Sequence, residues 1–320
     1  MECSKCDRDA VMYAAYSGSH LCDRHLLESV ERRVRRRIRK DEFLPDGATP
    51  DDPQRWLIGL SGGKDSVVLT HVVSETFQDD PRVELIALSI HEGIDGYRDE
   101  SLAAARELVA DLDIRHESLS YDDAFGWEMD EVAREDPLDM APCAYCGVFR
   151  RDLLSRFARE HDADLLLTGH NLDDEAETAL MNVLEGNVSQ MAKHFDASLG
   201  PLPERVDTPE MVPRAKPLRD VPEREIALYA HRTGLPAHIA ECPHAEESFR
   251  GTIRDLLLEL EEEHPGTRHS IIAGYEELAR MAAEAYRDET RGDLDPCVEC
   301  GTPSPNEQCR SCELLEVLSA

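Results

Sequence analysis

The stretch Trp56-Leu57-Ile58-Gly59-Leu60-Ser61-Gly62-Gly63-Lys64-Asp65-Ser66 decides the reading of this chain. Its first five residues are a short apolar run of the kind that makes a buried strand. The next six form a Ser/Gly-rich loop, and Val67-Val68-Leu69-Thr70-His71-Val72-Val73 then reads as a helix. A strand, a loop and a helix start in that order aim several backbone N–H groups and a helix N-terminus at one point, which is a phosphate-binding concavity. Gly62 and Gly63 let the backbone approach an anion that a Cβ would push away. Lys64 adds a positive charge, and Ser61 and Ser66 add hydroxyl donors. The spacing is not the G-x-x-x-x-G-K-[ST] of a Walker loop.

Working outward, the pattern alternates strand and helix. Residues 83–90, 114–119 and 163–168 read as further strands, and 98–112 as a helix with Leu102, Ala105 and Val109 on one face. Near-continuous apolar strands separated by helices imply a parallel α/β sheet covered on both faces. Ligands of such sheets bind beyond the carboxyl ends of the strands. Three segments fall there: Ser61–Ser66, Ser89-Ile90-His91-Glu92-Gly93 and Gly169-His170-Asn171-Leu172-Asp173-Asp174-Glu175. They are expected to converge on one crevice. Carboxylates in the last segment suit Mg²⁺ on nucleotide phosphates, and Asp174 suits a substrate contact or proton transfer. Helix capping by Asn171 or Asp173 is compatible with either role. Residues 187–222 hold six prolines and read as turns and extended chain, with helices resuming at 223–233, 246–262 and 267–289.

The chain has 320 residues with 67 acidic against 35 basic side chains, a net charge of −32. Five of the basic residues are lysines: Lys5, Lys40, Lys64, Lys193 and Lys216. An acidic, lysine-poor surface is typical of adaptation to a salt-rich cytoplasm, where carboxylates keep the chain hydrated. Against that background Arg32, Arg33, Arg35, Arg36, Arg37, Arg39 and Lys40 stand out, with Leu27, Val30, Val34 and Ile38 beneath them at helical spacing. This is an amphipathic helix whose basic face either pairs with neighbouring carboxylates or contacts an RNA backbone. There is no apolar run long enough for a membrane span and no signal-peptide core at the N-terminus, so a cytoplasmic location is expected.

Ten cysteines in a cytosolic chain indicate metal or redox chemistry rather than disulfides. Cys3, Cys6, Cys22 and His25 form one set with knuckle spacing, and Cys297, Cys300, Cys309 and Cys312 form another. Each completes a tetrahedral, structural Zn²⁺ site with no open position. Cys143, Cys146 and Cys242 remain, the first two just before a stretch, 148–158, that reads as a helix. Their spacing is compatible with an iron–sulfur cluster left with one open iron. It also suits a redox pair carrying a persulfide, or zinc with water or His244 as fourth ligand.

SGGKDS resembles the pyrophosphate loop of the PP-loop ATPases (N-type ATP pyrophosphatases), which cleave ATP between the α- and β-phosphates and adenylate a carbonyl oxygen. That loop, the Cys143/Cys146 pair, the 169–175 segment, Cys242 and the terminal cysteine sets occur in a characteristic order. From Cys3 to Cys312 the chain resembles the tRNA 2-thiouridine synthetases of the TtuA/NcsA type. The resemblance implies a PP-loop domain over residues 51–290, an N-terminal zinc finger at 1–28, a basic helix and linker at 29–50 and a C-terminal zinc finger at 291–320. It implies ATP held by Leu60, Ser61, Gly62, Gly63, Lys64, Asp65 and Ser66, with adenine near Ser89 and Ile90 and contacts from Gly169, Asp174 and Arg150. Relatives often carry lysine where Arg150 stands; arginine serves as an anion contact and not as a proton shuttle. Lys64 would stabilise charge building on the α-phosphate, and Asp174 matches the family's catalytic acid position. Cys143, Cys146 and Cys242 match the ligands of a [4Fe-4S] cluster. The implied partners are tRNA, a ubiquitin-like sulfur carrier and a second copy of the chain. Wobble uridine 34 is the expected target over T-loop uridine 54, because the composition speaks of salt rather than heat. The rival readings are a PP-loop enzyme that modifies cytidine and a non-catalytic RNA-binding scaffold.

Overall fold

The computed structural model describes residues 1–195, 211–244, 249–286 and 294–319. An antiparallel hairpin, β1 (Met12–Ala14) and β2 (Ser19–Leu21), leads into α1 (Asp23–Lys40). The central region then alternates β3 (Gln54–Gly59), α2 (Lys64–Phe77), β4 (Val83–His91), α3 (Arg98–Asp111) and β5 (Arg115–Ser120). Three helices follow, α4 (Tyr121–Phe125), α5 (Met129–Glu135) and α6 (Pro142–Glu160), before β6 (Leu165–Leu167). Next come α7 (Leu172–Leu184), α8 (Val188–His194), β7 (Arg214–Ala215), α9 (Glu223–Thr233), α10 (Phe249–Glu263) and α11 (Thr267–Ala285). A second hairpin, β8 (Asp295–Pro296) and β9 (Pro303–Ser304), ends in α12 (Arg310–Leu318).

The central sheet is parallel throughout, in the order β5-β4-β3-β6-β7. From β3 the chain winds one way to β4 and β5, then returns to the other side of β3 for β6 and β7. The order therefore reverses between β3 and β6, and a crevice opens at the carboxyl ends of those two strands. Side chains alternate across each strand. Trp56, Ile58, Leu165 and Leu167 join a core with Val30, Val34 and Ile38 of α1, Val68, Leu69 and Val72 of α2 and Ile226 and Tyr229 of α9. Leu57, Ile86, Leu88 and Leu166 face the other way, onto Val132 of α5, Tyr145, Phe149 and Leu153 of α6 and Leu314 and Leu318 of α12. The C-terminal module is thus built onto α6, the helix that carries Cys143 and Cys146. A separate helical layer of α7, α8, α10 and α11 packs around Ala176, Met191, Leu257, Ile272 and Tyr275.

The structure corrects two element assignments. The helix expected at 148–158 begins at Pro142, because proline at the first helical position has its φ preset and lacks an N–H that would go unpaired there. Cys143 and Cys146 therefore sit inside the helix, one turn apart on one face. The span 187–222 is not uniformly irregular: it holds α8, capped by Asn187, and the edge strand β7. Pro201, Pro203 and Pro209 lie outside the described residues, as do the outer ends of the helices expected at 246–262 and 267–289.

Candidate functional site: a nucleotide crevice joined to a thiol trio

Between β3 and α2 the SGGKDS loop is tied by its own hydroxyls. Ser61 N–H donates to Ser66 Oγ (3.1 Å), Ser66 Oγ to Gly63 O (3.0 Å), and the two hydroxyls meet at 3.0 Å. Gly62 has φ +81°, and a Cβ there would lie 1.7 Å from Ser101 O, so neither its conformation nor its space admits a side chain. Gly169, beyond β6, packs on the first turn of α2, where an added Cβ would meet Ser66 N at 3.0 Å. The loop and the 169–175 segment therefore touch directly. Between them lies a cavity of about 290 Å³ lined by Leu60, Ser61, Asp65, Ser66, Ile90, Glu92, Arg150, Gly169, His170 and Asp174, among others.

Asn171 caps α7, accepting from the backbone N–H groups of Asp173 (2.9 Å) and Asp174 (3.1 Å), while Asp174 Oδ2 accepts from Asn171 N–H (3.0 Å). Asn171 Nδ2 also donates to Asp65 Oδ1 (3.0 Å), locking the α7 cap to the first turn of α2. Burial, aided by the negative Asp65 and Glu177, pushes the Asp174 carboxyl up to about 7. Two facing carboxylates, Asp65 and Asp174, suit a hard cation with oxygen ligands. Asp173 belongs elsewhere: it accepts from Glu223 N–H (2.8 Å) and pairs with Arg268 (2.9 Å).

Two residues expected at the nucleotide have their side chains committed to other partners. Ser89 is fully buried and donates to Leu60 O (2.7 Å), with His116 Nε2 at 2.8 Å; its neighbour Ile90 faces the cavity. Lys64 Nζ donates to Asp65 Oδ2 (3.0 Å) and Glu223 Oε1 (2.7 Å) and lines a second cavity, under the N-terminal hairpin. Burial would lower its pKa, but Asp65 and Glu223 outweigh burial and hold the ammonium charged.

Cys143 is exposed at the start of α6, with Cys146 and Cys242 half-buried. Cys143 Sγ meets the carbonyl of His244 at 3.4 Å, which brings the segment of Cys242 onto the paired cysteines. Burial raises the Cys242 thiol first, and the charges of Cys143 and Cys146 raise it further. His244 Nε2 is engaged 2.7 Å from Asp130 Oδ1, and among the described residues His244 forms no group of ligand atoms within 4.8 Å with these cysteines, so the zinc arrangement with His244 as ligand does not match this geometry. Arg150 joins the two halves of the site. It lines the nucleotide cavity, donates to Glu92 Oε1 from Nε (3.1 Å) and places Nη2 3.1 Å from Cys146 Sγ. Glu92 lies in the 89–93 segment expected at the crevice but had no role assigned from the sequence, and Arg98 had only its place at the start of a helix. Their signal is one that only burial supplies: Glu92 is 1% exposed and yet ionic.

The terminal sets are tighter. Cys3, Cys6 and Cys22 place Sγ 3.2, 3.5 and 3.3 Å from His25 Nδ1, and Cys6 and Cys22 lie 3.7 Å apart. Cys300 and Cys309 are 3.6 Å apart. A Zn–S bond of about 2.3 Å gives a tetrahedron edge of about 3.8 Å, so both donor sets fit zinc. In each module a cysteine (Cys22, Cys309) is the helix N-cap and a further ligand (His25, Cys312) lies one turn on. Among the described residues these two are the only groups of three or more Cys, His, Asp or Glu ligand atoms within 4.8 Å of one another. The Cys143, Cys146 and Cys242 sulfurs do not all lie within 4.8 Å of one another.

Residues 27–261 match the PP-loop domain, and residues 2–27 match the N-terminal LIM domain of 2-thiouridine synthetase TtuA. The chain belongs to the PP-loop tRNA 2-thiouridine synthetases of the TtuA/NcsA type. Within that class it is 64% identical, over the full length of both chains, to the tRNA 2-thiolation protein NcsA of Haloferax volcanii. It is 35% identical to cytoplasmic tRNA 2-thiolation protein 1 of Anopheles gambiae, over 99% of this chain and 87% of that one. Among solved structures it is similar to the U34-tRNA thiolase NcsA of Methanococcus maripaludis with its [4Fe-4S] cluster: TM-score 0.80, 32% identity, 99% and 96% of the two chains covered.

Proposed function

We propose that this chain is an ATP-dependent tRNA sulfurtransferase that adenylates the C2 oxygen of wobble uridine 34 and replaces it with sulfur. The observation that carries the reading is Arg150, one side chain that lines the nucleotide crevice and contacts Cys146 Sγ. Adenylation and sulfur delivery act on one uridine carbon, so the two sites must share a space, and Arg150 spans it.

The residues divide the work. The loop N–H groups and the α2 N-terminus bind the phosphates. Lys64 exchanges Glu223 and Asp65 for the phosphate charge that builds as the uridine oxygen attacks and pyrophosphate leaves. Asp65 and Asp174 hold Mg²⁺ on that phosphate, and Ile90 backs the adenine. Cys143, Cys146 and Cys242 hold a [4Fe-4S] cluster, which when bound supplies an iron free to carry sulfide. Arg150 holds Cys146 toward the crevice and neutralises negative charge there. The exposed basic face of α1, with Arg32, Arg36, Arg39 and Lys40, positions the tRNA backbone. A ubiquitin-like thiocarboxylate carrier delivers the sulfur, the zinc-bearing ends at 1–28 and 291–320 flank the catalytic domain, and the enzyme works in the cytoplasm as a homodimer.

Anaerobic analysis of iron, sulfide and zinc in wild type and Cys242→Ala tests the reading, together with thiolation of tRNA carrying U34 or U34→C. Iron and sulfide in wild type, loss of both with zinc retained in Cys242→Ala, and thiolation that requires U34 are expected. A zinc-only wild type, or equal thiolation of the U34→C tRNA, would overturn it.

A further inference from the structure

We propose that Glu92 is a positioning residue that couples the nucleotide loop to the thiol trio, so that occupancy of one is felt at the other. The inference rests on the reading of Cys143, Cys146 and Cys242 as cluster ligands, and the chain of contacts behind it is continuous. Arg98 Nη1 donates to Ser61 O in the phosphate loop (3.2 Å), and its Nε and Nη2 donate to Ile90 O (3.2 and 2.9 Å), which flanks the adenine side of the cavity. The same guanidinium pairs with Glu92 Oε2. Glu92 Oε1 pairs with Arg150 Nη2 (2.8 Å), and Arg150 Nη2 reaches Cys146 Sγ. One carboxylate therefore holds two arginines whose far ends are the nucleotide loop and a cluster ligand.

The carboxylate has little freedom to move. It is 1% exposed and follows β4 directly. Its carbonyl accepts from Met129 N–H (2.8 Å) and the next carbonyl from Asp130 N–H (3.2 Å), at the start of α5. Gly93, with φ +72°, turns the chain against Glu128, where a Cβ would sit 2.5 Å from the Glu128 Cβ. The backbone of Glu92 is thus clamped, and a shift of either arginine is carried to the other through the carboxylate. Two guanidinium groups on one carboxylate also leave a net positive charge for phosphate on one side and thiolate on the other.

Coupling between two sites is reciprocal and is read as a ratio of affinities. Cluster ligation fixes Cys146 Sγ and so fixes Arg150 before nucleotide arrives, which is preorganisation. Anaerobic calorimetry with a non-hydrolysable ATP analogue should therefore show iron-loaded wild type binding at least about fivefold tighter than the iron-free protein. In Glu92→Gln, which keeps the shape but not the charge, the two forms should agree within about twofold, even if both bind more weakly. A Glu92 that only neutralised buried charge would change stability and leave the ratio intact. Should Glu92→Gln not fold, Arg150→Lys, which keeps the charge but loses the two-sided fork, should abolish the ratio in the same way. A wild-type ratio near one, or an unchanged ratio in the variant, overturns the coupling. Should wild type hold no iron, the cluster reading fails on its own. The coupling is then read as non-additivity of Glu92→Gln and Cys146→Ser on analogue affinity, where threefold or more supports it and additivity overturns it.

Discussion

Asp174 shows how one side chain carries both structure and chemistry. Its Oδ2 completes the α7 cap, yet burial has moved its carboxyl from 3.8 to about 7. A carboxyl raised on folding binds more protons in the native state between those values. Stability on its account therefore falls as pH rises from about 4 to about 7, and the loss persists above. Asp174→Asn keeps an oxygen for the Asn171 N–H and removes the charge. The variant should unfold at a higher temperature than wild type at pH 8 and show no such gain at pH 4, while thiolation falls by about a hundredfold or more. Matched thermal scans at the two pH values and a nucleoside assay check this; a variant destabilised at pH 8 would deny the carboxyl its buried charge. Gly62 is the backbone counterpart, a position where φ +81° and the Ser101 carbonyl exclude every other residue.

At the scale of the element, α1 buries some of its arginines and exposes others. Arg37 is buried and pairs with Asp41 (3.1 Å) and Asp220 (2.7 Å), and Arg33 is tied to Glu225 and Tyr16. These pin α1 to α9 and the segment before it. Arg36, one residue away, is largely exposed and reaches Asp220 only at 3.8 Å. Removing Arg37 strands the buried Asp41 with no cation, so Arg37→Ala should cost about 3–5 kcal/mol of stability. Arg36→Ala should lie within about 0.5 kcal/mol of wild type. For tRNA the order reverses: Arg36→Ala should lower the slope of log affinity against log salt by about 0.7–0.9, the release of one phosphate contact. Denaturant titrations and filter binding over a salt series separate the two effects, and equal stability losses would contradict the division.

The whole molecule carries a net charge of −32, and its ion pairs neutralise only part of the acid. Self-repulsion on that scale opposes compaction, and salt screens it, with a Debye length of about 10 Å at 0.1 M and about 3 Å at 1 M. The unfolding midpoint should rise by several degrees as KCl goes from 0.1 to 2 M. Sucrose at matched osmolality should not reproduce the full rise, and a midpoint that falls with KCl would show that screened ion pairs outweigh screened repulsion.

Sequence alone was enough for the features that rest on short-range chemistry. SGGKDS after an apolar strand gave the tight loop between β3 and α2, because a turn on glycines and a helix start are local events. The two terminal ligand sets were legible for the same reason: knuckle spacing and a helix N-cap bring each half of a tetrahedron together within a few residues. The parallel sheet followed from strand–helix alternation, and the capping role of Asn171 from its place before α7. Tertiary structure decided everything that depends on which distant groups share a space. It turned the Ser89 hydroxyl into a tie between β3 and β4, set Lys64 against Glu223, 159 residues away, and paired Asp173 with Arg268 instead of a metal ion. It also made Glu92 a site residue, since an acid at the end of a strand acquires meaning only when two arginines from different helices are buried upon it. Periodicity records which face of an element is covered; the partner that covers it is fixed by the packing of the whole chain.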